Sequence, residues 1–529
     1  RESVRGAIAR GETKLIKFSL YITALAESPE RLSEIADNFT ARMSNVHRFT
    51  GYFEQKSLFK SIIPQSFNDA RREFLMTTRD VANCWPFFED SLAGREGVPF
   101  GISLGSELVT INPWDSRLEN WNQVVIGKAG SGKSFSVQQQ ITRHLPFNPF
   151  IMVIDKSKSY EFLCRASGGD YVHIDLESKV HLNVFEYDRE ELRKNEGEVH
   201  PDKVADLLGF LNVLLAEEGE QKLPNLVLSH LDEAIRATYK AKFKDDKDNP
   251  VPKLSDLKKT LEEMGKDKNI PEEFSSLCKR ISKILGPYTG QGTYANLTDR
   301  ETKFDVDSPF IVFDTSNLPE ALVSLGVYII SQFCITKAIE NKKKGRRSWL
   351  LLDETWFLAR FPAGVAFLLN LAKRSRHLAL ASIFATQQIS DFLKNPDVRP
   401  VVDNASTKLI FRPGESEIPL LGEMFSMNEK ELAILSNLQQ VRGSYSQCYG
   451  IFGTIARGLI YVTPDPVSYW ITTTHPDETF ERDRFIGRFL DQEDLKAIKD
   501  QAQRKRFEVE KIWSGVFSLV HDKLSGKKV

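Results

Sequence analysis

Cysteine is scarce in this sequence, and what there is does not cluster. Cys84, Cys164, Cys278, Cys334 and Cys448 are spread along 529 residues with no Cys-x-x-Cys pair and no metal-like spacing. That excludes a disulfide framework or a zinc module as the organising device and reads as reduced, buried thiols. Net charge is missing too: 71 Lys and Arg stand against 72 Asp and Glu, leaving −1. No global field draws the chain to nucleic acid or anionic lipid, so any such surface has to be local. No stretch reaches the ~18–20 uninterrupted apolar residues of a membrane span. The nearest, ALVSLGVYIISQFCITKA from Ala321, is broken by Ser324, Ser331 and Gln332 and reads as a buried helix. The given residues open on no signal-peptide pattern, and the start at Arg1 instead of Met raises the expectation that N-terminal residues are missing.

What is present is an ordinary globular balance, 41% hydrophobic and 27% charged, long enough for two to four domains. Residues 1–95 read as an α+β segment. TKLIKFSLYITALAES is β-rich, SPERLSEIADNFTARMSN has a helical start and period, and NVHRFTGYF is a candidate second strand. From GVPFGISLGSELVTINPW onward strands and helices alternate, giving an α/β domain over 96–475. Its strand candidates are Gln123–Ile126, Phe150–Ile154, Asp170–Ile174, Phe310–Phe313, Trp349–Leu352, Ala379–Ala385 and Lys408–Phe411. Several are short continuous apolar runs, the mark of strands buried on both faces of a parallel sheet. Between 188 and 307 the chain turns charged, lysine-rich and helical, which reads as a helical insertion subdomain; 476–529 reads as a helical tail.

The chemistry starts at VVIGKAGSGKSFS. Gly127, Lys128, Ala129, Gly130, Ser131, Gly132, Lys133 and Ser134 match G-x-x-x-x-G-K-[ST] in full, with a strand before and a helix after. Such a loop turns backbone N–H groups around a β-phosphate, and the next helix adds its positive N-terminus. Phe135 completes the phosphate-binding set; Lys133 is expected to reach the β- and γ-phosphates of ATP and Ser134 to ligate Mg²⁺. In RRSWLLLDETW an apolar strand ends in Asp353 and Glu354, expected to hold Mg²⁺ and to activate the attacking water. LASIFATQQISDF ends a further strand at Gln387, the candidate γ-phosphate sensor if that strand lies between the loop and the acids. Arg376 in LAKRSRHLAL is the first candidate for an arginine inserted from a neighbouring subunit, with Arg374 and Arg412 as alternatives.

Two other pieces have open readings. VIDKSKSY puts Asp155 at a strand end expected beside the nucleotide strand, as support for the Mg²⁺ or phosphate site or as structure only. HLNVFE, from His181, offers Asn183 as a turn cap. The basic run KKKGRR, Lys342 to Arg347, reads as a solvated turn; without interleaved aromatics it does not indicate nucleic acid.

NQVVIGKAGSGKSFS, VIDKSKSY, LNVFE, LLLDETW, AKRSRH and FATQQISDF, in that order, resemble the ATPase domain of the VirB-four/TraC family of type IV secretion and conjugation machines. The likeness runs from about Leu75 to Pro466, and MTTRDVANCWPFF is similar to that family's linker before the nucleotide domain. It implies a RecA-like P-loop NTPase that assembles as a hexamer at the cytoplasmic face of the inner membrane. There it would partner the secretion complex and couple ATP hydrolysis to pilus assembly and substrate transfer. The family roles fall on Lys133, Ser134, Asp353, Glu354 and Gln387, and Arg376 lies in its basic motif. Two departures stand out: His377 follows Arg376 where the family often has Arg-Lys, and VIDKSKSY replaces an Asp-Pro-Lys-Gly form. The rival reading is a DNA-translocating coupling protein or FtsK/HerA-like pump with the same elements; coupling proteins usually start with membrane helices. A scaffold that binds ATP without hydrolysing it is disfavoured by the intact Glu354.

Overall fold

Val124, Ile126, Met152, Ile154, Leu350 and Leu352 face one apolar core, while Val125, Ile151, Val153, Trp349 and Leu351 face another. Neighbouring residues of each strand thus point to opposite sides of one sheet, and both sides are covered. That double burial is why these strands read as unbroken apolar runs.

The computed structural model describes the chain except residues 1, 22, 25, 43–50, 52, 64–67, 84–91, 93–95, 179–180, 216–222, 247, 268–270, 303–307, 360–361, 388, 394–397, 491–497, 499 and 526–529. It divides into two units, Arg1–Phe88 and Glu89–Val529. The first contains α1 (Glu2–Ala9), β1 (Leu15–Phe18), α2 (Pro29–Arg42), α3 (Gln55–Ile62), β2 (Phe74–Thr77) and α4 (Thr78–Asn83), with β1 and β2 antiparallel. The candidate strand NVHRFTGYF lies mostly outside the described residues; the partner of β1 is instead Phe74–Thr77.

The second unit opens with β3 (Val98–Ser103), β4 (Leu108–Ile111), β5 (Asn122–Ile126), α5 (Lys133–His144), β6 (Phe150–Asp155), α6 (Glu161–Ala166) and β7 (Asp170–His173). A run of helices follows: α7 (Arg189–Lys194), α8 (Pro201–Leu215), α9 (Asn225–Asp245), α10 (Leu254–Met264), α11 (Glu272–Ile284) and α12 (Ala295–Thr298). The sheet resumes with β8 (Phe310–Asp314), α13 (Glu320–Lys343), β9 (Ser348–Leu352), α14 (Trp356–Ala359), α15 (Pro362–Arg374), β10 (Leu380–Thr386), α16 (Ser390–Leu393), α17 (Arg399–Asp403) and β11 (Thr407–Phe411). It closes with α18 (Ile418–Met424), α19 (Glu429–Ser436), β12 (Gln440–Val441), β13 (Tyr445–Phe452), β14 (Ala456–Val462), α20 (Pro466–Thr472), α21 (Pro476–Ile486) and α22 (Gln501–Leu524).

The strand order is β4-β3-β14-β13-β11-β5-β10-β9-β6-β8-β7, with β12 paired to β13. From β11 to β7 every pairing is parallel; from β11 to β4 every pairing is antiparallel. This is a mostly parallel RecA-like α/β sheet extended by an antiparallel wing. Residues of α5, α6, α20, α21 and α22 share the core on one face, and those of α8 to α11, α13 and α15 share the core on the other. The segment from Ala321 lies within α13, packed in that second core.

One expectation changes. β6 does not lie beside β5: β10 and β9, which come much later in the chain, stand between them. Asp155 therefore neighbours the acidic strand β9, with Ile154 in register with Leu352.

Candidate nucleotide site

β5 is buried along its whole length and ends at Ile126 in register with Thr386 of β10 and Ile410 of β11. The loop that follows is held from both sides. Gly127 N donates to Thr386 O at 3.3 Å, and Lys128 N to Arg412 O at 3.1 Å. Ser446 on β13 donates its hydroxyl to Ser131 O at 2.7 Å. Gly127 cannot be replaced cheaply, because a Cβ there would sit 2.5 Å from Ser131 Oγ and 2.7 Å from Phe411 Cβ. Gly132 has φ of 93°, a left-handed conformation that favours glycine, and leads straight into α5. No side chain caps α5. The N–H groups of its first turn have no partner inside the helix, which with the helix dipole makes a seat for an anion.

Next to this seat stand the acids of β9. Lys133 Nζ lies 3.9 Å from Asp353 Oδ1, both side chains almost fully buried. The main chain carries Asp353 there: its N–H donates to Ile154 O at 3.1 Å, and Thr355 N to Ala385 O at 2.9 Å. Burial pushes the Asp353 carboxyl up and the Lys133 charge pulls it back. Among the described residues its Oδ1 accepts no hydrogen bond, so a buried acceptor oxygen faces the lysine side of the site. Glu354 has φ of 60°, uncommon for a residue with a side chain, and accepts a hydrogen bond from Gln387 Nε2 at 2.5 Å. Gln387 follows β10, which runs between β5 and β9. The intermediate strand that the sensor reading requires is therefore present. Asp155 sits one strand further along, its carboxyl raised to about 6 by burial and by the charge of Asp353.

The arginines separate. Arg412 follows β11 at the phosphate-loop edge, its carbonyl accepting from Lys128. Arg374 and Arg376 precede β10 and lie at the opposite edge, across a strand of seven residues and so roughly 20 Å away. There Arg376 Nη1 donates to Glu119 O at 3.2 Å, and Arg374 Nη2 stands 3.8 Å from an Asp202 carboxylate oxygen. The basic run is at that same edge: Lys342 Nζ donates to His377 O at 2.5 Å, and Arg346 Nη2 to Asn148 Oδ1 at 2.6 Å. Asn183 is a turn residue, its Oδ1 accepting from Phe185 N at 3.0 Å and its Nδ2 donating to Pro252 O at 2.8 Å.

Two contributors escaped the sequence reading. Ser446, which braces the loop, lies on an antiparallel strand more than 300 positions away. Ser157 Oγ lies 3.3 Å from Asp353 Oδ2. No local pattern marks either one.

Fold and loop together define a P-loop nucleoside-triphosphate domain. More particularly, the chain belongs to the TraG P-loop domain family, whose model matches residues 101–504. Its sequence relatives include protein TraC of Escherichia coli K12, 22% identical over 454 residues covering 80% of this chain and 48% of that protein. Another is the type IV secretion system protein virB4 of Bartonella henselae, 21% identical over 442 residues covering 79% and 50%. The chain thus spans about half the length of these relatives. The solved structure of VirB4 of Thermoanaerobacter pseudethanolicus shares the fold, with a TM-score of 0.58 at 22% identity over 71% of this chain and 99% of that one. Among the described residues no helix is long and apolar enough to cross a membrane.

Proposed function

We propose that this chain is the ATP-hydrolysing motor part of a type IV secretion or conjugation ATPase. The observation that carries the reading is the convergence of two distant strand ends: Lys133 Nζ is 3.9 Å from Asp353 Oδ1, with the Glu354–Gln387 pair beside them. ATP is the substrate. Its β- and γ-phosphates lie against the N–H groups of residues 127–135, and Lys133 offsets their charge. The donor set suits Mg²⁺: a serine hydroxyl in the first turn of α5 and a buried carboxylate oxygen without a hydrogen bond, both hard oxygen ligands. Ser134 and Asp353 would hold this ion, which when bound would neutralise charge on the β- and γ-phosphate oxygens. Glu354 takes the proton of the attacking water. The Gln387 amide, now bonded to Glu354, is placed to exchange that partner for a γ-phosphate oxygen.

The chain works as a homo-oligomer, with a hexamer as its ring, peripheral to the inner membrane. Arg376 completes the neighbour's site, because it lies at the edge remote from its own. Sequence kinship with TraC and virB4 supports secretion and conjugation over a DNA pump. The test is ATP turnover of the purified chain against Lys133→Ala. The variant is expected to lose at least about 100-fold; equal turnover refutes the assignment.

A further inference from the structure

The loop Asp155–Tyr160 at the end of β6 takes no part in the chemistry above, yet it touches Asp353. Asp155 is satisfied by main-chain donors: Oδ1 accepts from Ser157 N at 2.8 Å and Oδ2 from Tyr160 N at 3.0 Å. This carboxylate shapes the loop as an Asx-type turn. The Ser157 hydroxyl, in contrast, has one proton and three oxygens within reach. They are Asp155 Oδ1 at 3.1 Å, Asp353 Oδ2 at 3.3 Å and Ser159 Oγ at 2.7 Å. Asp155 already has its backbone donors, and Ser159 has a proton of its own to give. The arrangement that leaves the fewest buried acceptors unserved therefore runs from Ser159 to Ser157 to Asp353 Oδ2. The chain of bonds continues to the phosphate-loop helix, since Gln138 Nε2 on α5 donates to Ser159 O at 3.0 Å.

We propose that Ser157 is a positioning residue for Asp353: its hydroxyl holds Oδ2, so that Oδ1 stays turned toward Lys133 and the metal-binding side of the loop. A carboxylate at the end of a strand rotates about its last bond unless one oxygen is tied. Here one oxygen is tied by Ser157, and among the described residues the other accepts no hydrogen bond. Partners of this kind fix ligand orientation and typically set metal affinity by about 10–100-fold. Through Ser159 and Gln138 the same tie links the orientation of Asp353 to the helix that receives the phosphates. The inference rests on the Mg²⁺·ATP reading of the site.

The experiment uses the full chain with Mn²⁺ as a paramagnetic substitute for Mg²⁺ and a non-hydrolysable ATP analogue. Bound Mn²⁺ is followed by electron paramagnetic resonance, and nucleotide affinity is measured separately in EDTA. In Ser157→Ala the Mn²⁺ concentration for half-saturation rises about tenfold, while nucleotide affinity in EDTA and the far-ultraviolet circular dichroism stay as in wild type. Ser157→Thr, which keeps the hydroxyl, restores Mn²⁺ affinity, and Ser159→Ala shifts it in the same direction by less. An unshifted Mn²⁺ affinity in folded Ser157→Ala overturns the assignment. So does an equal loss of Mn²⁺ binding and metal-free nucleotide binding, which marks a merely structural loop. If the wild-type chain binds the nucleotide but no Mn²⁺ beside it, the reading of the whole site fails with it.

Discussion

At the C-terminal ends of β5, β10, β9 and β6 the chain gathers Lys133, Gln387, Asp353, Glu354 and Asp155, interlocked by hydrogen bonds and short charge contacts. At the N-terminal ends of the same strands it places Arg346, Arg347, Arg374 and Arg376, whose partners are mostly main-chain carbonyls, aromatic rings and outlying acids. Under that basic rim His144 is wedged between Trp114 and Trp349, with ring centroids 5.9 and 5.0 Å away. One edge is wired as a charge-handling centre and the other as an aromatic floor with a cationic margin. The contrast is what the proposed ring site requires: a loop suited to a triphosphate at one edge, and arginines at the other that are too far from it to serve in cis.

The largest expected effect breaks the first edge alone. Glu354→Gln lowers ATP turnover by about 100-fold or more while fluorescent-nucleotide binding persists. Normal turnover means that the carboxylate at this edge is not the base. The next test joins the two edges between subunits. Lys133→Ala and Arg376→Ala chains, each inactive alone, regain turnover when mixed. In randomly mixed rings about a quarter of the sites pair an intact Lys133 with an intact neighbouring arginine. Rings that form without any rescue exclude Arg376, and the same mixing with Arg374→Ala or Arg412→Ala tests the alternatives.

The aromatic floor has its own pH signature. Burial depresses His144 to about 4, the hydrogen bond to Gln140 O opposing only in part. The folded state then binds fewer protons than the unfolded state between about pH 4 and 6.5, so stability rises with pH across that window. Denaturant unfolding at pH 7 and pH 5 should show about 2 kcal/mol from this group. Asp155 acts in the opposite sense: its raised value, about 6, makes stability fall as pH rises from about 4 to 6. In His144→Phe the rising component disappears; an unchanged pH dependence contradicts the wedge. The smallest effect is at the brace. Ser446→Ala leaves Ser131 O without its donor and weakens nucleotide binding by about 1 kcal/mol, several-fold in Kd by calorimetry.

The parallel half of the sheet was legible because strands buried on both faces leave unbroken apolar runs such as WLLL and FIMVI. The antiparallel wing was not. In YSQCYGIF, Gln447 and Gly450 interrupt the apolar positions, and the connection to β14 contains Gly453 and Thr454. The phosphate loop and the acidic pair were readable because their chemistry demands particular residues at fixed local spacing. Asp155 was placed beside the wrong strand, since chain order does not set strand order when β10 and β9 insert between β5 and β6. Ser157 and Ser446 act through contacts across 196 and 315 positions, which no local pattern records.

The loop after β5 and the acids after β9 are proposed to grip one metal-bound triphosphate, and everything else in the proposed mechanism depends on that grip. It is tested most directly by a structure of Glu354→Gln with Mg²⁺ and ATP. In that structure the β-phosphate is expected on the first turn of α5, with a single Mg²⁺ facing both Ser134 and Asp353. A triphosphate seated elsewhere, or an ion that does not face Asp353, contradicts it.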